Sequence, residues 1–196
     1  AWLRRILATG PMEISIVGDL PLERARELAL RYIGSLPKRP RISDTTFAQL
    51  RTIRRPEGPR NVIFELDGSS PVAIVRTGFF GADTRELRDV RLLGMASRIL
   101  SARARVEIGE KRRLVESPTF VSSPAAEYPG YGHFFLAAPV EASRAAELAS
   151  AVQSLFDDFV ASGLTADEVA AVLAGITEAL ERQTHDPAFW STRLTT

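Results

Sequence analysis

The sequence lacks cysteine and contains only two histidines, His133 and His185, among its 196 residues. The missing thiols exclude disulfides and thiolate-bound metals, and they leave the redox compartment undetermined. A zinc hydrolase needs imidazoles and carboxylates close together, as in H-E-x-x-H or its inverse H-x-x-E-H. Neither pattern occurs. We therefore interpret both histidines as structural, and we expect no catalytic residue and no metal ligand in this chain.

Other signatures of self-contained chemistry are missing too. The sequence has no G-x-S-x-G nucleophile elbow and no phosphate-binding loop of the G-x-x-x-x-G-K-[ST] type. The acidic pairs Asp157-Asp158 and Asp167-Glu168 fit helix surfaces or a helix cap. No run approaches the roughly 18 apolar residues that cross a bilayer. From these absences we expect no self-contained catalysis and no membrane span.

What is present is the composition of an ordinary globular protein, with 45% hydrophobic residues, 25% charged residues and a net charge of +1. Only Lys38 and Lys111 are lysines among the 25 basic residues, a bias that we interpret as the codon usage of a GC-rich, bacterial genome. The chain begins with Ala1 inside an amphipathic stretch whose apolar face needs a partner. We therefore expect a piece excised from a longer polypeptide.

The apolar pattern predicts the order β-α-β-β-α-β-β-α-α. Strand-like runs cover 12–17, 61–67, 71–80, 117–123 and 133–139. Apolar residues recur at helical spacing in about 22–34, 84–111, 148–159 and 169–180. Gly163 is placed as a helix stop, and Thr165 with Glu168 forms a capping box. Hairpins rather than repeated βαβ units predict an α+β fold: one domain over 1–196, with two layers, a mostly antiparallel sheet and helices on one face.

A basic cluster closes the long helix, in "RVEIGEKRRLVESP" (residues 105–118). Between Arg98 and Arg113, six basic residues stand against two acidic ones, a local net charge of +4. Such a helix end can bind nucleic acid, bind an anionic part of a substrate, or be a solvated terminus that complements the helix dipole. Nucleic-acid binding usually adds exposed aromatic residues or a recognisable module. Neither accompanies this cluster, so we expect no nucleic-acid partner.

Several segments, taken in order, resemble one domain of a known enzyme family. The segment "GPMEISIVGDLPLERARELALRYIGSLPKRP" is similar to an opening strand, Gly-Asp turn, helix and exit in the second α/β domain of a half-unit of the insulinase-like (pitrilysin) zinc metallopeptidases. "ILSARARVEIGEKRRLVESP" is similar to that domain's long helix, and "GLTADEVAAVLAGITEALE" to its penultimate helix. "WLRRIL" and "HDPAFWSTRL" resemble the C-terminal half of the bacterial two-half members.

The resemblance implies a non-catalytic domain of a zinc-dependent endopeptidase. In that family the zinc ligands and the general base lie on H-x-x-E-H in another domain, so it implies zinc in the parent protein and no cofactor here. It implies a wall of an enclosed chamber, in which peptides are held as added strands while two halves close. The implied partners are other domains of the same chain and a peptide substrate. The implied location is the bacterial periplasm or cell envelope.

Three positions of the helix exit are implied as substrate contacts: Gly109, Lys111 and Glu116. The family pattern is close to R-E-K-x-G-x-x-Y-S, whose arginine and tyrosine reach the peptide carbonyl near the zinc. Here Gly109 stands at the arginine position and Glu116 at the tyrosine position. A carboxylate there repels a carbonyl that develops negative charge. The alternative to a peptidase domain is therefore a catalytically degenerate homologue that acts as an assembly or peptide-holding module.

Overall fold

The computed structural model describes residues 2–39, 41, 43, 45–55, 57–58 and 71–194. They fall into two compact units. The terminal unit consists of Ala1–Ala48 with Ala174–Thr196, and the central unit consists of Gln49–Leu173. The buried apolar core of the described residues lies between Ala82 and Leu155, so it belongs to the central unit. That residues 1–196 form a single domain stays a prediction.

Helices precede, separate and follow three strands along the described residues. In chain order they are α1 (Trp2–Thr9), α2 (Leu22–Tyr32), α3 (Ala48–Arg51), β1 (Val72–Gly81), α4 (Leu87–Ala104), a π-helical segment (Arg105–Lys111), β2 (Phe120–Ser123), β3 (Gly132–Glu141), a short 3-10 turn (Ala142–Arg144), α5 (Ala145–Ser162), α6 (Ala166–Thr184) and α7 (Pro187–Leu194).

One of the five predicted strands is not formed, and another lies outside the described residues. Residues 12–17 form neither strand nor helix, so that prediction was wrong for this structure. Strand geometry needs backbone hydrogen bonds to a neighbour, and none of the described strands pairs with this segment. Ile14 and Ile16 are correspondingly about half exposed, at 45% and 47%. The predicted strand 61–67, with the first hairpin that it completes, lies outside the described residues.

The central unit contains a three-stranded antiparallel sheet in the order β1-β3-β2. The predicted hairpin between residues 117 and 139 is the β2–β3 pair, with Phe120 opposite Leu136. The β1–β3 pair sets Phe79 opposite Phe134. Side chains of β3 are buried at every second position from Gly132 to Val140, as the two-residue period of a strand requires. The sheet therefore has one inner face and one outer face.

Helices α4 and α5 pack on the inner face of the sheet. Leu148, Val152 and Leu155 of α5 recur at helical spacing, and all three are buried. They meet Leu100 of α4 and Leu136 of β3 in one hydrophobic cluster. The rings of Phe120, Phe134 and Phe156 contact one another in this cluster, and the half-exposed ring of Phe79 stacks on Phe134 at its edge.

The result is an α+β fold in which helices cover one face of an antiparallel sheet, as predicted. Among the described helices, none is by itself long and apolar enough to cross a membrane. The segments Ala142–Ser162 and Ala166–Thr184 meet that criterion only as a pair, and the pair is bent by 109°.

Candidate functional site at the exit of helix α4

The two histidines lie in ordinary structural positions. His133 is on the outer face of β3, with its ring 5.6 Å from the ring of Phe80. His185 occupies the turn between α6 and α7. Across the part of the chain that the structure describes, no three His, Cys, Asp or Glu side chains are grouped as metal ligands. The residues described therefore offer no set of side chains that fits a zinc site.

The α4 exit, defined as residues 105–118, is an irregular helix end. It starts with a π-helical segment, Arg105–Lys111, a conformation that occurs frequently at functional sites. Two backbone N–H groups close the wide turn: Arg113 donates to the Gly109 carbonyl at 3.1 Å, and Leu114 donates to the Ile108 carbonyl at 3.0 Å. Arg113 has a positive φ of 50°. That left-handed backbone is strained for any residue with a Cβ.

Gly109 allows the chain that returns from the exit to pass close to the helix. A Cβ built at Gly109 meets the carbonyl oxygen of Val115 at 3.3 Å and that of Glu116 at 3.6 Å. The backbone of residues 115–116 thus lies where the first atoms of a side chain at position 109 would be. The structure brings two of the three predicted contact positions, Gly109 and Glu116, together through this backbone approach.

Lys111 and Glu116 both expose their side chains. Lys111 forms an ion pair with Glu107, one turn earlier in the π-helical segment. This pair leaves Lys111 directed along the helix rather than held at Glu116. The exit therefore presents a paired ammonium and a separate carboxylate on the same short stretch of surface. Whether these positions contact a substrate stays a prediction.

Arg144 ends the 3-10 turn that follows β3, and its side chain contacts the α4 exit. Its guanidinium donates to the carbonyl oxygen of Arg112 at 3.1 Å and to that of Arg113 at 3.2 Å. The same group donates to both carboxylate oxygens of Glu147, at 2.9 and 3.2 Å. The hydrogen bond from Arg144 lowers the pKa of Glu147 below its ordinary value. One side chain thus satisfies helix-terminal carbonyls that lack partners within the helix.

Comparison with known proteins decides the family. A family model described as the peptidase M16 inactive domain matches residues 1–176. The chain belongs to this family. No curated protein matches it. The crystal structure of a peptidase M16 inactive domain from Pseudomonas fluorescens superposes with a TM-score of 0.69 at 21% identity, over 90% of this chain and 40% of that one. The chain thus spans two fifths of that solved chain, and at this identity the likeness shows the fold.

The resemblance to the non-catalytic domain of insulinase-like peptidases is thereby confirmed. In this M16 inactive domain, sequence reasoning found the exit but not the residue that fixes it. The spacing of Arg144 and Glu147 shows a possible ion pair three residues apart. Nothing local shows that Arg144 reaches Arg112 and Arg113, because their contact joins residues 31 and 32 positions apart.

A second arginine joins helices near the C-terminal end of the M16 inactive domain's α4. Arg103 donates to both carboxylate oxygens of Glu168, at 2.7 and 2.9 Å, and to the Gly163 carbonyl at 2.8 Å. The hydrogen bond from Arg103 is the main cause that lowers the pKa of Glu168 to about 2, with the Thr165 backbone N–H adding to it. The predicted capping box is present, since Glu168 N–H donates to the Thr165 hydroxyl at 3.2 Å. Sequence reasoning predicted the box but missed Arg103.

Proposed function

We propose that this M16 inactive domain lines the substrate chamber of a bacterial insulinase-like zinc metallopeptidase. In this proposal another domain of the parent protein binds the zinc and cleaves peptide bonds. The described residues offer no group of metal ligands, which is consistent with a role in holding the peptide. A periplasmic or cell-envelope location of the parent protein belongs to the same proposal, by family analogy.

The observation that carries the proposal is the fixed geometry of the α4 exit. The segment that corresponds to the family motif contains a strained turn at Arg113, and Arg144 binds two carbonyl groups of that turn. Buried residues flank it, since Ile108 is 0% and Leu114 is 8% exposed. A surface segment that only solvates a helix end needs none of this support. A segment that presents groups to an extended peptide needs a defined orientation.

The charges of the exit indicate which part of the reaction this surface can assist. Glu116 is an exposed carboxylate, which is repelled by a carbonyl oxygen as that oxygen becomes negative. The exit therefore does not stabilise the transition state in the way that the family's arginine and tyrosine do. It binds the ground state of the peptide, through backbone groups and the Lys111 ammonium.

The first test uses zinc content. In the full-length protein that contains this chain, we expect the double variant His133→Gln and His185→Gln to retain the zinc content and peptide hydrolysis of the wild type. Zinc is measured by atomic absorption after gel filtration, and hydrolysis with a quenched fluorescent peptide. Loss of zinc in the double variant contradicts the assignment of the metal to another domain.

The second test uses the exposed carboxylate. We expect Glu116→Gln to lower KM for a quenched fluorescent peptide severalfold, because removal of the charge ends its repulsion of peptide carbonyls. Glu110→Gln is the matched control, since Glu110 is also an exposed glutamate of the same exit. Equal responses of the two variants mean that position 116 has no specific contact with the substrate.

A degenerate homologue is the second candidate, and the replaced contact residues Gly109 and Glu116 favour it. In that case the full-length protein binds peptides without cleaving them, and its upstream sequence lacks an intact H-x-x-E-H. Peptide binding by fluorescence anisotropy, measured beside hydrolysis, separates the two candidates. Binding with turnover supports the peptidase, and binding without turnover supports the peptide-holding module.

A further inference from the structure

The carbonyl groups at the α4 exit receive their hydrogen bonds from a distant part of the chain. The last carbonyls of a helix have no partner within the helix and need donors from elsewhere. At this exit the donors for Arg112 and Arg113 belong to Arg144, which follows β3 in the 3-10 turn Ala142–Arg144. The orientation of the exit is therefore tied to the start of α5.

We propose that Arg144 is a positioning residue for peptide binding at the α4 exit. Its guanidinium fixes the turn at Arg112 and Arg113, and through that turn it sets the directions of Lys111 and Glu116. The inference rests on the proposed function, in which this exit faces the peptide. Among the described residues, Arg144 donates its hydrogen bonds to carbonyls of the exit and to Glu147, so in this proposal it acts through the exit and not on the substrate.

The strain at Arg113 makes this support necessary for orientation rather than for folding. A non-glycine residue in the left-handed region tends to relax to an ordinary backbone conformation when nothing holds it. The buried side chains of Ile108 and Leu114 anchor the helix and the return segment on either side. Loss of Arg144 therefore frees residues 109–113 locally, while the core around them persists.

The shape of the guanidinium explains why arginine suits this position. Its planar fork contacts two carbonyl oxygens and two carboxylate oxygens at once. A lysine has a single nitrogen on a flexible stem and does not reproduce this geometry. Arg144→Lys is consequently a graded test, because it keeps the charge and loses the fork.

The experiment compares four proteins in the full-length chain: wild type, Arg144→Gln, Arg144→Lys and the control Arg24→Gln. Arg24 forms an exposed pair with Glu27 at the same spacing of three residues as Arg144 with Glu147, within α2 and without carbonyl contacts among its described hydrogen bonds. The probe is a pool of fluorescein-labelled random peptides of about ten residues. Its dissociation constant is measured by fluorescence anisotropy, and amide exchange is followed at residues 109–116.

We expect Arg144→Gln to raise the peptide Kd by roughly fivefold to tenfold, as expected for the loss of charged hydrogen bonds. Arg144→Lys should fall between it and the wild type, and Arg24→Gln should match the wild type. Exchange should accelerate at the amides of Arg113 and Leu114, while the melting temperatures of Arg144→Gln and Arg24→Gln stay similar. A purely structural role moves the melting temperature and leaves the Kd of the folded protein unchanged.

The outcomes separate this inference from the proposed function. If Glu116→Gln changes the peptide Kd but Arg144→Gln behaves like Arg24→Gln, the inference fails and the proposed function stands. If the wild type binds no peptide, the proposed function fails and the inference fails with it. If Arg144→Gln raises the Kd without faster exchange at Arg113 and Leu114, Arg144 acts on peptides by another route and the positioning role is overturned.

Discussion

Two helix junctions of the central unit solve the same problem with different residues. At the α5–α6 junction, Gly163 takes a positive φ of 68°, and Arg103 donates to its carbonyl. At the α4 exit, Arg113 takes a positive φ of 50°, and Arg144 donates to its carbonyl. Each junction thus has one left-handed residue and one arginine brought from another element. The two junctions differ in the type of residue that has the positive φ, which is a glycine at the α5–α6 junction and an arginine at the α4 exit.

That difference separates a structural joint from a candidate site. Glycine adopts the left-handed region without steric cost, which makes the α5–α6 junction an ordinary helix stop. Arginine in the same region costs about 1–2 kcal/mol, and the π-helical segment before it adds further irregularity. Strain of this kind persists where surrounding contacts impose it, and it clusters at functional sites. The α4 exit has both the strain and the imposing contacts.

The largest effect should come from the buried support of the α4 exit. Ile108 is 0% exposed, whereas Leu164 at the other junction is 49% exposed. Ile108→Ala should therefore lower the free energy of unfolding by about 2–5 kcal/mol through lost burial and a cavity. Leu164→Ala should stay within about 1 kcal/mol, since an exposed side chain loses little on truncation. Urea unfolding followed by circular dichroism compares the two variants. Equal losses of unfolding free energy would show that the α4 exit has no more buried support than the other junction.

The second effect is a pH dependence at the α5–α6 junction. The pKa of Glu168 is lowered from its ordinary 4.5 to about 2 in the folded protein. A lowered folded pKa gives stability that is present above about pH 4.5 and is lost as pH falls toward 2. The pair is partly exposed, at 21% and 26% of its two side chains, so solvent screening reduces its contribution to about 1–2 kcal/mol.

Glu168→Gln tests this dependence. At pH 7 the variant should be less stable than the wild type, and the difference should shrink as pH falls from about 4.5 to 2. Urea unfolding at pH 7 and pH 3 measures it. Glu178→Gln serves as the control, because Glu178 forms a pair that is about 70% exposed with Arg182. A constant difference between pH 7 and pH 3 would show that Glu168 acts through packing rather than charge.

The third effect compares the two left-handed residues directly. Arg113→Gly should raise the free energy of unfolding by about 0.5–1 kcal/mol, since glycine removes the strain at a small entropic cost. Gly163→Ala should lower it by about 1–3 kcal/mol, because a φ of 68° with a ψ of −155° is a glycine conformation, although no neighbouring atom limits the space there. Thermal denaturation measures whether each variant is more or less stable than the wild type. A destabilised Arg113→Gly variant would mean that the arginine side chain supports the turn more than its backbone strains it.

Sequence reasoning located both junctions because their signals are local. Gly163 and the spacing of Thr165 and Glu168 are visible within six residues, and the structure contains both the stop and the capping box. The hairpin of β2 and β3 was equally visible in its alternating apolar residues. Helix stops, caps and hairpins depend on neighbours in the chain, so single-sequence patterns suffice for them.

The two arginine contacts and the fate of residues 12–17 depended on the fold. Arg103 and Arg144 act on groups 65 and 31 residues away, and no periodicity encodes such a meeting. Residues 12–17 carry a strand pattern, yet a strand also needs a paired neighbour. The π-helical segment and the positive φ of Arg113 likewise depend on where the return segment is anchored, and the local sequence "GEKRRL" does not predict them.

The smallest effect on stability should come from Lys111. Because its substitution should hardly change the free energy of unfolding, any change in peptide binding can be attributed to a lost contact. Lys111 forms an exposed pair with Glu107 four residues earlier, and such surface pairs contribute about 0.3–0.5 kcal/mol. Lys111→Gln should therefore unfold within about 0.5 kcal/mol of the wild type, as should Arg182→Gln, whose exposed pair has the same spacing. If Lys111 contacts the peptide, only Lys111→Gln raises the peptide Kd, because stability is unchanged in both. Equal binding by the two variants would remove Lys111 from the site and leave peptide binding to the backbone groups of the exit.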